Sequence, residues 1–242
     1  MKLDAEEIQS YIEEDIVTYH QKIFDRLLNL KLKDVIKRKN PYLFKAKALE
    51  TASGIVKAIL DAYLSSQEEG IFGTFLEDLS IFVCSKVYHG RKSAAEGIDL
   101  EFDRDKIRYI ISIKSGPNWG NSQQIARMKD NFRKAKKILR TNTSQGNIVA
   151  VNGCCYGKEK NYDKSEYLKL CGQRYWELIS GNENLYTDII EPLGHKAKQR
   201  STRFKSEYAK VVNRITRDFI KDFCDEDGSI NWEALVVFNS GK

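Results

Sequence analysis

The chain has 242 residues, 41% of them hydrophobic, which is enough to bury one large core or two modest ones. Its 40 basic against 34 acidic side chains give a formal charge of +6, compatible with a polyanionic partner without requiring one. No apolar run approaches bilayer length, the acidic start "MKLDAEEIQSYIEED" lacks a signal-peptide core, and the cysteines show no C-x-x-C spacing, which argues against a membrane span, secretion, a zinc site or a disulfide framework. The expectation is a cytoplasmic protein in which Cys84, Cys154, Cys155, Cys171 and Cys224 are reduced and mostly buried.

From Asp4 to about Leu64, apolar residues recur at helical spacing, and Asn40 before Pro41 forces a sharp turn. "KLKDVIKRK" reads as a solvated basic helix face. A further helix is predicted from Ser65, three residues ahead of Glu68 as a capping box, to a stop at Gly90. One of its faces carries Gly73, Glu77, Ser80 and Cys84, a small and acidic surface that something could approach closely. "GIDLEF" and "RYIISIK" form a predicted hairpin around "DRDK", and the second strand is apolar nearly throughout, as expected of a sheet covered on both faces. "QQIARMKDNFRKAKKILR" is a basic amphipathic helix, and "NIVAVNGCCYG" a third strand with a glycine-rich exit. "EYLKLCGQRYWELIS" and "STRFKSEYAKVVNRITRDFIKDFC" read as helices, while "INWEALVVF" fits a short helix or a strand. Helices, a small strand cluster and helices again predict an α/β core, a mixed central sheet flanked by helices, with a helical N-terminal region at 1–64 and helical C-terminal elaboration within 65–242, together one compact unit.

Several local patterns carry no chemistry. "DEDGSI" places Phe223 and Ala234 where a calcium loop needs its first and twelfth oxygen ligands, and "GCCYGK" is one residue short of a phosphate loop. Asn142-Thr143-Ser144 fits a glycosylation acceptor by chance, and His20, His89 and His195 have no ligand-like spacing.

One constellation survives. Residues two apart in a strand share a face, so Ser112 projects with Lys114 and Asp99 with Glu101; hairpin pairing can make the two faces one, and Glu77 could reach it from the preceding helix. Carboxylates and a lysine at a sheet edge suit phosphodiester hydrolysis, in which carboxylate oxygens hold Mg²⁺ and a lysine orients the nucleophile and offsets developing charge. Asp99 would be the central ligand and Lys114 the lysine.

At these residues the chain resembles the PD-(D/E)xK nucleases, and within them type II restriction endonucleases. Glu77 in "GTFLEDL" looks like the helix glutamate, Asp99 in "GIDLEF" like the first-strand aspartate and Lys114 in "SIKSGPNWGN" like the second-strand lysine; the core resemblance spans 65–158. The family usually has an acid two residues before the lysine, where this chain has Ser112, so the second carboxylate must come from elsewhere: Glu77 first, Glu101 second. The resemblance implies a restriction-endonuclease-like fold, Mg²⁺ (or Mn²⁺) held by Asp99, Glu77, Glu101 and the Ile113 carbonyl, a double-stranded DNA substrate cut to 5′-phosphate ends, a homodimer, a companion methyltransferase, and a bacterial or archaeal cytoplasm. After the lysine, Ser115, Asn118, Trp119, Asn121, Ser122, Gln123 and Arg127 are candidates for positioning or reading DNA, with Trp119 favoured as a packing anchor. A structure-selective repair nuclease and a non-catalytic DNA-binding protein with a decayed site remain alternatives.

Overall fold

In the structure, a computed structural model that describes residues 4–142 and 147–242, helices open and close the chain and short strands lie between them. The order is α1 (Ala5–Leu28), α2 (Leu32–Ile36), α3 (Pro41–Ala46), α4 (Ala52–Tyr88), β1 (Leu100–Arg104), β2 (Ile107–Lys114), α5 (Ser122–Asn142), β3 (Ile148–Cys154), β4 (Leu168–Cys171), α6 (Gln173–Ser180), α7 (Leu185–Asp188), α8 (Ile190–Leu193), α9 (Ala197–Phe223) and α10 (Trp232–Ser240). This is the expected mixed α/β architecture, with a sheet in the order β1-β2-β3-β4 flanked by helices. Thr143 and Ser144 of the Asn-Thr-Ser tripeptide lie outside the described residues.

The hairpin turns on Asp105 and Lys106, both at positive φ (52° and 62°), which matches the right-handed twist of the strands they join. β1 pairs antiparallel with β2 from Leu100↔Ile111 to Arg104↔Ile107. The chain then crosses over through α5, so β2 and β3 run parallel with Ser112 beside Asn152 and Lys114 beside Cys154. β4 adds a second parallel pairing, with Asn152 beside Lys169 and Cys154 beside Cys171. On one sheet face Leu100, Ile111, Ile113 and Val151 pack with Phe75, Leu76, Leu79 and Val83 of α4 and with Tyr175, Trp176 and Ile179 of α6. On the other, Ile110, Ile148 and Ala150 meet Met128, Phe132 and Ala135 of α5.

Two expected elements differ. No helix begins at Ser65, because α4 runs unbroken from Ala52, where Thr51 Oγ1 accepts the Gly54 N–H at 3.1 Å. No proline interrupts the segment, and burial of Ile59, Leu60, Leu64 and Ile71 outweighs the local capping signal. The helix ends at Tyr88 with His89 left-handed (φ 55°) and the Gly90 N–H reaching the Cys84 carbonyl at 3.1 Å, a closure six residues long. The second correction is "EYLKLCGQRYWELIS": Leu168–Cys171 is a strand, Gly172 (φ 56°) breaks the chain direction, and only then does α6 begin. "INWEALVVF", unassigned from sequence, contains the start of α10, capped by Asn231 Oδ1 accepting the Ala234 N–H at 2.8 Å.

Contacts group the chain into two compact units, Met1–Ile16 with Phe72–His195 and Val17–Ile71 with Lys196–Lys242. The first holds the whole sheet. The second is helical, its core built from Leu27, Leu32, Val35, Phe44, Ile55, Ile59, Leu60, Val211, Ile215, Phe219 and Leu235. All five cysteines are free, four of them buried. No helix among the described residues is long and apolar enough to cross a membrane.

Candidate active site

Where β2 ends, the structure gathers Asp99, Ser112, Ile113 and Lys114. Asp99 lies just before β1, and its N–H donates to the Ile111 carbonyl at 2.8 Å. Its Oδ2 accepts the Ile113 N–H at 2.6 Å, lies 3.5 Å from Ser112 Oγ and 3.8 Å from Lys114 Nζ. The carboxylate is therefore fixed by backbone rather than left to wander in solvent. Lys114 Nζ donates to the Ile113 carbonyl at 2.8 Å and sits 5.2 Å from the centre of the Trp119 ring.

Glu77 belongs to the same electrostatic neighbourhood. Burial, then the Asp99 charge, push its carboxyl above the ordinary range, and Lys92, 3.4 Å away, offsets this only in part. A carboxyl whose proton affinity is raised by a neighbouring carboxylate marks a place with surplus negative charge. Glu101 is occupied otherwise: Oε1 accepts from Arg91 at 2.8 Å and 2.7 Å, and Oε2 accepts from Ser93 Oγ at 3.2 Å. Cys155 also lies near Glu77 and Lys114, but burial pushes its thiol up to about 12, so it stays protonated and is no thiolate ligand at neutral pH.

The segment after Lys114 is clamped from several sides. The parallel ladder continues past β3, with the Cys155 N–H donating to the Lys114 carbonyl at 2.9 Å and the Tyr156 N–H to the Ser115 carbonyl at 3.0 Å. Ser115 Oγ lies so close to α4 that a Cβ on Gly73 would stand 2.8 Å from it. Lys169 Nζ donates to the Pro117 carbonyl at 3.0 Å, and Trp119 Nε1–H donates to Asn152 Oδ1 at 3.0 Å, so Trp119 is anchored by packing and a hydrogen bond. Asn121 is the cap of α5, its Oδ1 accepting the Gln124 N–H at 3.0 Å while Gln124 Oε1 accepts the Asn121 N–H at 2.9 Å. Arg127 pairs with Glu96 at 3.1 Å. Asn118, Ser122 and Gln123 are exposed.

Sequence reasoning missed Asn152 and Lys169. The signal for Asn152 is one amide in the apolar run "IVAVNGC"; Lys169 was hidden by reading its strand as helix.

Among the described residues no group of three or more His, Cys, Asp or Glu side chains is arranged to hold a metal ion. The donors present, the Asp99 and Glu77 carboxylates and the Ile113 carbonyl, are all oxygens. They fit a hard cation that uses one or two carboxylates and completes its shell with water and phosphate.

A family model described as Type II restriction endonuclease EcoO109I matches residues 6–201. The chain belongs to that family. The match takes in Glu77, Asp99, Ser112 and Lys114 together with Asn152 and Lys169. Among curated proteins the chain finds no match.

Proposed function

We propose that this chain is a Mg²⁺-dependent type II restriction endonuclease that cuts double-stranded DNA at a specific sequence. The reading rests on one observation above others: in a chain of a restriction endonuclease family, Asp99 Oδ2 and Lys114 Nζ stand 3.8 Å apart at a strand end, with the Glu77 carboxyl raised by burial and by the Asp99 charge. Asp99, Glu77 and the Ile113 carbonyl would hold the ion, for which Mn²⁺ substitutes; Glu101 is the second choice. When bound, Mg²⁺ lowers the pKa of a water and neutralises charge on the scissile phosphate. Asp99 is held for this role by the Ile113 N–H. Lys114 uses one donor on the Ile113 carbonyl and keeps two for a phosphate oxygen and the attacking water, where its charge offsets what builds up at phosphorus. Ser112 supplies no charge and contributes its hydroxyl beside Asp99.

Cleavage leaves 5′-phosphate and 3′-hydroxyl ends, a homodimer matches a palindromic site, and a companion methyltransferase protects the same site in the host. We assign base reading first to the exposed Asn118, Ser122 and Gln123, with Ser115 as a further candidate; Trp119, Asn121 and Arg127 make hydrogen bonds or an ion pair within the protein. Incubation with plasmid DNA and Mg²⁺ should give discrete bands. A smear would point to a nonspecific or structure-selective nuclease, and absence of cutting with any divalent metal would defeat the proposal. Ser112 favours one rival, a DNA-binding protein with a decayed site, for which Asp99→Ala and Lys114→Ala would leave function untouched.

A further inference from the structure

Asn152 stands in the middle of an apolar strand and is 1% exposed. A primary amide in such a place destabilises the fold unless its donors and acceptor are used. Here the acceptor and one donor are: Nδ2 donates to the Ser112 carbonyl at 3.2 Å, and Oδ1 accepts the Trp119 indole N–H at 3.0 Å. One side chain thus ties the backbone just before Lys114 to the aromatic ring that lies under its ammonium, 5.2 Å from the ring centre. We infer that Asn152 is a positioning residue for Lys114, acting through Trp119; this rests on the nuclease reading of the site.

The chemistry explains why the residue is an amide. Aspartate could accept from the indole but could not donate to the Ser112 carbonyl, and leucine could do neither. Lysine has a flexible stem whose freedom must be lost for the ammonium to meet a phosphate, and a fixed aromatic platform removes part of that loss before substrate arrives. Lys169, beside Asn152 in the register, pins the same segment at the Pro117 carbonyl, so the chain from Ser115 to Asn121 is tied to both β3 and β4.

The test uses the full chain labelled with ¹³Cε-lysine, with the Lys114 signal assigned by its loss in Lys114→Arg. In the wild type the ring current of Trp119, whose centre is 5.2 Å from Lys114 Nζ, should shift the Lys114 ε-protons upfield. Asn152→Ala and Asn152→Asp should move that signal toward the position of a free lysine. Under single-turnover conditions with Mg²⁺, Asn152→Ala should slow cleavage about 10- to 100-fold while DNA affinity changes less than about threefold. Trp119→Phe, which keeps a ring and loses the N–H, should have a smaller effect, and adding it to Asn152→Ala should cost nothing more. Trp119→Phe alters a half-buried position and carries the test where the buried Asn152→Ala fails to fold. A Lys114 signal that stays in place, additive rate losses, or a loss confined to DNA affinity would overturn the inference. If the wild-type protein cuts no DNA, the nuclease reading falls by itself, and the lysine shift still decides whether Asn152 places Lys114.

Discussion

Exchanging Glu77 and Glu101 one at a time for glutamine separates the two candidates for the second carboxylate, because the structure predicts opposite effects on stability. Glu101 is 12% exposed and Arg91 68% exposed, so their pair contributes about 1 kcal/mol, and the Ser93 hydrogen bond about as much again. Glutamine retains one acceptor oxygen, leaving a loss of about 1–2 kcal/mol, or roughly 2–8 °C in Tm for a chain of this size. Glu77→Gln gives up only an exposed contact to Lys92 and removes the repulsion with Asp99, so without divalent metal its Tm should equal or exceed that of the wild type near neutral pH. Because the Glu77 pKa is raised above its ordinary 4.5, the folded protein holds that proton more tightly than the unfolded chain. Stability therefore falls as pH climbs from 4.5 through the raised value, and Glu77→Gln should flatten this slope. In a Mg²⁺-dependent plasmid assay, Glu77→Gln should lose on the order of 10²–10³ in rate, and Glu101→Gln should cut nearly normally at a temperature where it is folded. Loss of cleavage by Glu101→Gln alone, or a Glu77→Gln protein that melts lower with an unchanged pH slope, would refute the reasoning.

Lys114→Ala and Asp99→Asn should each abolish plasmid cleavage in gel assays while DNA affinity measured by anisotropy largely survives; Asp99→Asn keeps an acceptor for the Ile113 N–H, so its Tm should fall by no more than about 4 °C. Gly153→Ala would place a Cβ 2.2 Å from the fully buried Tyr175 ring and should cost about 1–3 kcal/mol, a drop of roughly 2–12 °C by thermal melting. Asn121→Ala should lower stability by about 1 kcal/mol in urea unfolding through loss of the α5 cap, whereas Gln123→Ala should leave stability unchanged and relax discrimination between related DNA sites in a binding competition.

The local part of the site is readable from the letters. Strand alternation and the Gly-Pro break identify the end of β2, and the small residues on α4 point to close approach, which Gly73 and Ser115 make. Glu101 shows the limit of alternation. Parity assigns it to the face of Asp99, but Arg91, in an isolated bridge beside β1, exchanges backbone hydrogen bonds with Glu101 at 3.0 Å and 2.9 Å and takes its carboxylate as well. That pairing has no periodic signal. The same holds for β4, whose four residues take their identity from β3, and for Asn152, whose indole partner is 33 positions away in the chain. Ser65 failed for the opposite reason: its capping signal is sound locally and is overruled by the buried stripe that runs through it.

Ser112 changes which element the site depends on. With an acid at that position both carboxylates would come from the hairpin, and their spacing would be set by the β1–β2 register. With serine, 3% exposed and offering only a hydroxyl to Asp99, the second carboxylate on our reading comes from Glu77, and its distance from Asp99 is set by how α4 lies on the sheet. That packing is fixed on one side by Leu76, Leu79 and Val83 against the strands and on the other by Gly73, where Ser115 leaves no room for a larger side chain without a shift. On that reading the small residues on α4 and the serine on β2 are parts of one arrangement: the strand gives up a charge, and Glu77 on the helix is the carboxylate proposed in its place.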